Sequence, residues 1–351
     1  MGWALSNGFL RRLFLRKGSR MPLDWSPFKE FIRQPSRFLL LTHVRPDGDA
    51  LGSQIGMADL LSQLGKSSRI MIGSRFPDRY HFMDPNKQIE RYTTGTDSYS
   101  WAEAVIILDT GAWSQLGECG TAMQKRGLPR FVIDHHLTQD DLGAIRHVDA
   151  TAEATARLVY EAFEAMEKTP SQTGAEAIFI GLAMDTGWFH HSSTKAATFV
   201  LAEKLVRAGA IPERIYEQLY ERNTLGRMRL LGRVLDRMQV LLDGKLVVTE
   251  VYMSDYPATG SVPADTEDFV QQTRAIADVE VGIMLIEQAG GEVKVSFRSR
   301  EKVNVATLAQ QFGGGGHARA SGATLPGPIA SARTTAVAAV ERAFAAGASV
   351  K

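Results

Sequence analysis

Between His43 and Ser53 the chain reads His-Val-Arg-Pro-Asp-Gly-Asp-Ala-Leu-Gly-Ser, which puts one imidazole and two carboxylates, Asp47 and Asp49, into a short segment. An Asp-x-Asp turn lets two carboxylates aim at neighbouring points in space, and Gly48 between them eases the turn. The segment does not continue as a calcium loop, because the twelfth position from Asp47 is Ala58, where such a loop needs glutamate. Three further stretches have the same character: Asp109 after Ala104–Leu108, Asp134-His135-His136 after Arg130–Ile133, and Asp185 in Met184-Asp185-Thr186-Gly187. Singly, each has an ordinary explanation, such as a helix cap or a turn. Gathered together, Asp47, Asp49, Asp109 and Asp185 would resist joint ionisation. A pair of divalent cations removes that conflict. Oxygen donors mixed with imidazole suit manganese or a similar ion. Two such ions activate a water at neutral pH and clamp the attacking and leaving oxygens of a phosphoryl displacement.

These residues need a frame that brings distant segments to one edge. Arg37–His43, Arg69–Gly73, Ala104–Asp109 and Arg130–Asp134 are short apolar runs and read as buried parallel strands. Ala50–Leu64, stopped by Gly65, and Ala152–Met166 and Gly174–Met184 read as helices between and after them. Alternation of this kind predicts a doubly wound, mostly parallel α/β sheet, whose ligands collect beyond the carboxyl ends of the strands. The acidic and histidine stretches stand at those ends. Residues 194–238 carry only helical patterns, with Pro212 at a helix start. From Asp243-Gly244 strands return at Lys245–Val251, Val279–Gln288 and Glu292–Arg298, and Ala330–Ala346 closes the chain as a helix. The expected organisation is an extension over 1–20, a catalytic domain over 21–208, a helical linker over 209–240 and a smaller α/β domain over 241–351.

Composition bounds the function. The 351 residues hold 40 basic and 39 acidic side chains, a formal net charge of +1, which argues against a broad nucleic-acid surface. Residues 1–20 carry five basic and no acidic residues, so the rest of the chain carries −4. That basic stretch reads as a floppy extension, or as sequence upstream of a true start at Met21, in preference to a membrane-surface anchor. One cysteine, Cys119, excludes an internal disulfide and a cysteine-built zinc site and fits a reducing, cytoplasmic setting. No apolar run approaches the roughly 18 residues of a membrane span.

The ordered set His43–Ser53, Ile107-Leu108-Asp109, Asp134-His135-His136, Asp185-Thr186-Gly187 and Gly313-Gly314-Gly315-Gly316-His317 resembles the DHH–DHHA1 phosphoesterases. That family includes the RecJ exonucleases and the shorter NrnA-type nano-RNases and pAp phosphatases, whose two-domain layout this chain shares. The resemblance covers nearly everything from about residue 21 onward. It implies that His43, Asp47 and Asp109 hold one metal, and that Asp49, Asp109, His135 and Asp185 hold the other, with Asp109 bridging. It implies two ions, manganese foremost, with magnesium or cobalt as substitutes. His136 would touch the scissile phosphate as donor or acid, and Asp134 would orient a histidine. The basic extension departs from the family pattern. So do His190 and His191, which stand where relatives often carry an arginine or an aromatic residue, and neither is assigned as a ligand.

In the C-terminal part, Gly313–Gly316 before His317 would let backbone N–H groups converge on a phosphate. Arg298, in Ser296-Phe297-Arg298-Ser299, is the best candidate for a phosphate clamp. The expected substrate contacts are therefore Arg298, Ser299, Gly314, Gly315, Gly316 and His317. Arg300, Lys302 and Arg319 read equally well or better as solvated charges. The leading expectation is hydrolysis of short oligoribonucleotides to mononucleotides and removal of the 3′ phosphate of pAp. The alternatives are a phosphodiesterase for cyclic di-AMP or its linear product and, outside enzymology, a nucleotide-binding sensor. A family II pyrophosphatase ranks low, because it would lack the glycine–histidine run. The sequence is compatible with a homodimer.

Overall fold

The structure is a computed structural model that describes residues 23–93 and 98–346. The basic extension over 1–20 and Met21 lie outside the described residues, as do the last five positions of the expected C-terminal domain. The chain forms two compact units that divide between Glu221 and Arg222.

The first unit is built on a six-stranded sheet. Its strands are β1 (Arg37–Leu41), β2 (Ser67–Ile72), β3 (Ile89–Arg91), β4 (Ala104–Leu108), β5 (Arg130–Asp134) and β6 (Ile145–Val148). They lie in the order β3-β2-β1-β4-β5-β6 with every pairing parallel. Alternate residues of each strand serve opposite cores: Phe38, Leu40, Ile106 and Ile133 face one, and Leu39, Leu41, Ile107 and Val132 the other. Burial on both faces is why these strands are apolar throughout. The order reverses between β1 and β4, and that switch point is where a doubly wound sheet opens a crevice at its carboxyl edge.

Around the sheet lie α1 (Ser26–Phe31), α2 (Gly48–Gln63), α3 (Ser98–Trp101), α4 (Trp113–Gln124), α5 (Thr155–Ala165), α6 (Gln172–Asp185), α7 (Ala196–Arg207) and α8 (Pro212–Tyr220). Helices α2 and α6 pack antiparallel at very close range. Added Cβ atoms on Gly48 and Gly52 would stand 2.4 Å from Met184 Cγ and 2.3 Å from the Ala177 carbonyl oxygen. The reason for glycine at 48 thus differs from the expected relief of a turn: Gly48 has no positive φ, and its missing side chain makes room for α6. Gln54, fully buried, spans from α2 to the sheet by donating to the carbonyls of Leu40 (3.0 Å) and Met71 (3.1 Å).

The second unit begins with α9 (Leu225–Asp236), so the segment read as one helical linker contributes α8 to the first unit and α9 to the second. A second six-stranded sheet follows, of β7 (Gln239–Leu241), β8 (Leu246–Val251), β9 (Val281–Glu287), β10 (Glu292–Ser299), β11 (Gly315–His317) and β12 (Ala320–Pro326). Its order is β11-β12-β10-β9-β8-β7, antiparallel except for β8 with β9. Helices α10 (Asp255–Thr259), α11 (Val305–Gln310) and α12 (Ile329–Ala345) complete it. Phe297, Val295, Leu285 and Ile283 pack with Ala332, Ala336 and Val340 of α12. Among the described residues, no helix is long and apolar enough to cross a membrane.

Candidate metal centre

The ends of β1, β4 and β5 deliver the first unit's acidic and histidine residues to one place. His43 follows β1, Asp109 follows β4 directly, and Asp134 closes β5 ahead of His135 and His136. Asp47 caps α2, its Oδ1 accepting the N–H groups of Asp49 (2.9 Å) and Ala50 (3.1 Å). Asp49 stands in the first turn of α2, and Asp185 is the last residue of α6. The close packing of α2 on α6 is what sets Asp49 and Asp185 side by side.

Three overlapping groups result, each with donor atoms within 4.8 Å of one another: His43, Asp47 and Asp109; Asp49, His135 and Asp185; and Asp109, His135 and His136. Asp109 joins two of them through different oxygens. Its Oδ2 lies 3.4 Å from His43 Nε2, and its Oδ1 lies 3.6 Å from His135 Nε2. The backbone at Asp109 is in the left-handed region (φ 62°), a conformation that costs energy in a non-glycine residue and collects at functional sites.

The carboxylates are held by groups that sequence reasoning missed. Asp49 accepts the backbone N–H of Thr155 (2.6 Å) on Oδ2 and of Ala156 (2.8 Å) on Oδ1. No residue of its own segment caps α5 through a side chain. Asp49 supplies that cap from α2 and places its charge at the positive end of the α5 dipole. Thr155 Oγ1 donates to Asp109 Oδ1 at 2.9 Å. The only signal available in the sequence was a helix start lacking a cap residue of its own.

Electrostatics within the cluster are unfavourable without a cation. Burial raises the pKa of Asp49, and Asp185 adds to this. Burial likewise raises Asp109 well above the usual carboxylate range, helped by Asp49 and Asp47. Burial works to lower the pKa of His135, but the neighbouring carboxylates of Asp185, Asp49 and Asp109 raise it overall. His135 Nδ1 faces the Ala152 carbonyl (3.3 Å), while the buried Nε2 has no aligned hydrogen-bond acceptor although Asp185 Oδ2 is 3.1 Å away. A lone pair aimed into a carboxylate cluster fits a metal ligand, with the Nδ1–H fixed by a carbonyl. The donor set of carboxylates and imidazoles therefore fits divalent cations.

Asp134 plays a different part. It is fully buried, which opposes its charge, yet His136 holds its pKa below the ordinary range together with backbone N–H and Gln139 donors. Its Oδ1 lies 2.8 Å from His136 Nδ1, and its Oδ2 accepts from Gln139 Nε2 at 2.5 Å. Gln139, unnoticed in the sequence, lies against Gly111, where an added Cβ would stand 1.8 Å from its Oε1 and push the amide from this position. His190 and His191 hydrogen-bond to the carbonyls of Gly187 and Asp185 and stand outside the three groups.

In the second unit, Arg298 lies opposite Ala320, and Ala320 lies opposite His317 on the next strand, so the arginine and the glycine strand share one row. Gly315 and Gly316 belong to β11, and Gly314 and Gly316 admit the close approach of β12, where Cβ atoms would stand 2.2 Å and 2.6 Å from backbone oxygens. Ser299 is buried and donates its hydroxyl to the Ala318 carbonyl (3.3 Å), which ties down the turn between β11 and β12.

A doubly wound sheet with a carboxylate–imidazole centre at its switch point, joined to a mixed-sheet unit, defines a metal-dependent phosphoesterase architecture. The chain belongs to the DHH family: residues 37–182 match the DHH family, N-terminal domain, and residues 243–346 match the DHHA1 domain. It is 31% identical over 292 residues to the bifunctional oligoribonuclease and PAP phosphatase NrnA of Thermus thermophilus, covering 82% of this chain and 84% of that protein. It is 22% identical to the cyclic-di-AMP phosphodiesterase PdeA of Listeria monocytogenes, over 82% of this chain but 45% of that protein. The crystal structure of an exopolyphosphatase-related protein from Bacteroides fragilis superposes with a TM-score of 0.87 at 27% identity, covering 92% of this chain and 96% of that one.

Proposed function

We propose that this chain is a two-metal phosphoesterase that hydrolyses short oligoribonucleotides to mononucleotides and removes the 3′ phosphate of pAp. The observation that carries the reading is Asp109, whose two oxygens face His43 on one side and His135 on the other. His43, Asp47 and Asp109 would hold one ion, and Asp49, Asp109, His135 and Asp185 the other. Manganese suits this donor set best, with magnesium or cobalt able to substitute. When bound, the ions supply Lewis acidity and lower the pKa of a coordinated water.

The chain's own side chains do the rest. Thr155 fixes the torsion of the Asp109 carboxylate through one hydrogen bond. Asp49 is locked by two backbone N–H groups and cannot swing away. With Nδ1 committed to Asp134, His136 keeps Nε2 free to hydrogen-bond a phosphate oxygen or protonate the leaving group. Arg298, on β10 with β12 between it and the Gly315–His317 strand, would grip the nucleotide away from the reacting phosphorus. The single cysteine, Cys119, suits a reducing compartment such as the cytoplasm.

The name of the Thermus relative and its near-complete coverage support oligonucleotide and pAp hydrolysis. The Listeria relative favours cyclic di-AMP as a second reading, on a match that spans less than half of that protein. Incubating the purified chain with manganese and, separately, a labelled RNA dimer, pAp and cyclic di-AMP distinguishes them. Dimer and pAp should be consumed with cyclic di-AMP nearly untouched, and no turnover of dimer or pAp with manganese or magnesium would reject the proposal.

A further inference from the structure

The turn that follows α6 carries two imidazoles that the acidic centre leaves unused. His190 and His191 are both exposed, and their rings lie 4.4 Å apart, centre to centre, at 64°. His135 and His136, at the metal centre, stand in nearly the same relation, at 4.5 Å and 65°. The backbone takes an uncommon path to bring the pair there. Gly187 (φ 56°), Trp188 (φ 56°) and Phe189 (φ 67°) are left-handed in succession. Two of the three are bulky residues for which this conformation is strained, and such strain collects at functional sites. Both rings also close on Gly187, where an added Cβ would stand 2.4 Å from His191 Nε2 and 2.7 Å from His190 Cε1.

The backbone sets the tautomer of both rings. His190 Nδ1 meets the Gly187 carbonyl, and His191 Nδ1 meets the Asp185 carbonyl at 3.3 Å. A carbonyl only accepts, so each Nδ1 carries the proton and each neutral ring presents the lone pair of Nε2. Two imidazoles of the metal centre are held the same way: His43 Nδ1 faces the Val44 carbonyl (3.0 Å) and His135 Nδ1 the Ala152 carbonyl (3.3 Å). A ring N–H fixed by a carbonyl is a common support of a metal-ligating histidine. His81, by contrast, turns its Nε2 to the Asp78 carboxylate (3.3 Å). The pair stands, moreover, at the C-terminal end of the 14-residue α6, where unpaired carbonyls concentrate negative partial charge and favour a cation. Imidazole nitrogens suit zinc, copper or nickel, whereas manganese and magnesium prefer oxygen donors.

We propose that His190 and His191 together bind one further divalent cation of the zinc class, with water completing its shell. The site is separate from the acidic centre, since neither histidine belongs to the donor groups gathered around Asp109 and Asp49. It does not depend on the phosphoesterase reading. Through the bond from His191 to the Asp185 carbonyl, it is anchored to the main chain of a residue whose carboxylate does belong to that centre.

The test compares the full chain with a variant carrying both His190→Asn and His191→Asn. Asparagine offers an amide N–H close to where Nδ1 stands and lacks Nε2, so the turn keeps its donors and loses the ligand atoms. After dialysis against zinc, the wild type should retain about one more zinc per chain than the variant, while the two proteins hold equal manganese. Copper(II) added to the manganese-loaded chain gives a second readout, an electron paramagnetic resonance signal split by two imidazole nitrogens when both histidines are present. Equal zinc in the two proteins, or a copper signal that the substitutions leave unchanged, overturns the site. A variant that also loses manganese overturns it as well, because the pair would then support Asp185 instead of holding an ion. An extra zinc in a wild type that binds no manganese supports the site and rejects the two-metal centre instead.

Discussion

The Thr155 hydroxyl donates to Oδ1 of Asp109 at 2.9 Å, from a helix that begins 46 residues further along the chain. This bond fixes which way the carboxylate plane faces, and with it which oxygen meets His43 and which meets His135. Thr155→Val keeps the shape and removes the donor. Metal affinity should fall about 10- to 100-fold, the usual effect of losing such a supporting hydrogen bond. Thr155→Ser should restore most of it. Calorimetric titration with manganese checks this, and an unchanged affinity in the valine variant would remove Thr155 from the account.

The α2–α6 contact gives a stability prediction with an internal control. At Gly52 an added methyl meets the Ala177 carbonyl, a backbone atom that cannot step aside. Gly52→Ala should therefore cost about 1–3 kcal/mol in urea unfolding, despite the better helix propensity of alanine. At Gly48 the obstacle is the side chain of Met184, which can turn away. Gly48→Ala should be clearly milder. Equal losses at the two positions would contradict the packing argument.

How much of this was legible beforehand follows from where each signal resides. The central strands were readable because burial on both faces makes them apolar runs, as with the fully buried Ala104–Leu108. The edge strands Ile89–Arg91 and Ile145–Val148 were not, being short and partly exposed. The acidic and histidine residues announced themselves by falling at strand ends. Their supports did not: Thr155 and Ala156 act through backbone and hydroxyl groups on residues more than a hundred positions from Asp49, and Gln139 depends on the room left by Gly111. In the C-terminal part, the glycine run was visible but its strand pairing was not, because Gly315-Gly316-His317 has no apolar alternation to betray β11.

Acid should find a weak point in the second unit. Burial would raise the pKa of Asp255, but Arg237, the Tyr252 N–H and Arg233 bring it down to about 2. The carboxylate accepts from Arg233 Nη1 (2.8 Å), Arg237 Nη2 (2.8 Å) and Tyr252 N (2.9 Å) and is fully buried. A depressed folded-state value stabilises the fold above the unfolded aspartate pKa near 4, and that contribution disappears as the pH falls through about 2. It amounts to about 2 kcal/mol. Between pH 4 and 2 the wild type should lose this stability, whereas Asp255→Asn should be less stable at pH 7 and flatter across that window. Denaturant unfolding at several pH values gives the comparison, and parallel curves would refute it.

Arg298 should reveal itself by kinetics. In the proposed reading it would grip the substrate remote from the reacting phosphorus, so Arg298→Ala should raise KM more than it lowers kcat. The truncation removes charge-assisted hydrogen bonds, and a KM increase of about tenfold is expected. A loss confined to kcat would place Arg298 at the chemical step instead.

The central claim is that Asp109 bridges two metal ions, and manganese stoichiometry tests it most directly. The wild type should bind two manganese ions per chain with the magnetic coupling of a shared ligand in electron paramagnetic resonance. Asp109→Asn, which keeps the side-chain shape, should lose the coupled signal and the hydrolysis of RNA dimer while its metal-free unfolding remains cooperative. An Asp109→Asn protein that still binds a coupled pair of ions, or still turns over dimer at the wild-type rate, would contradict the account.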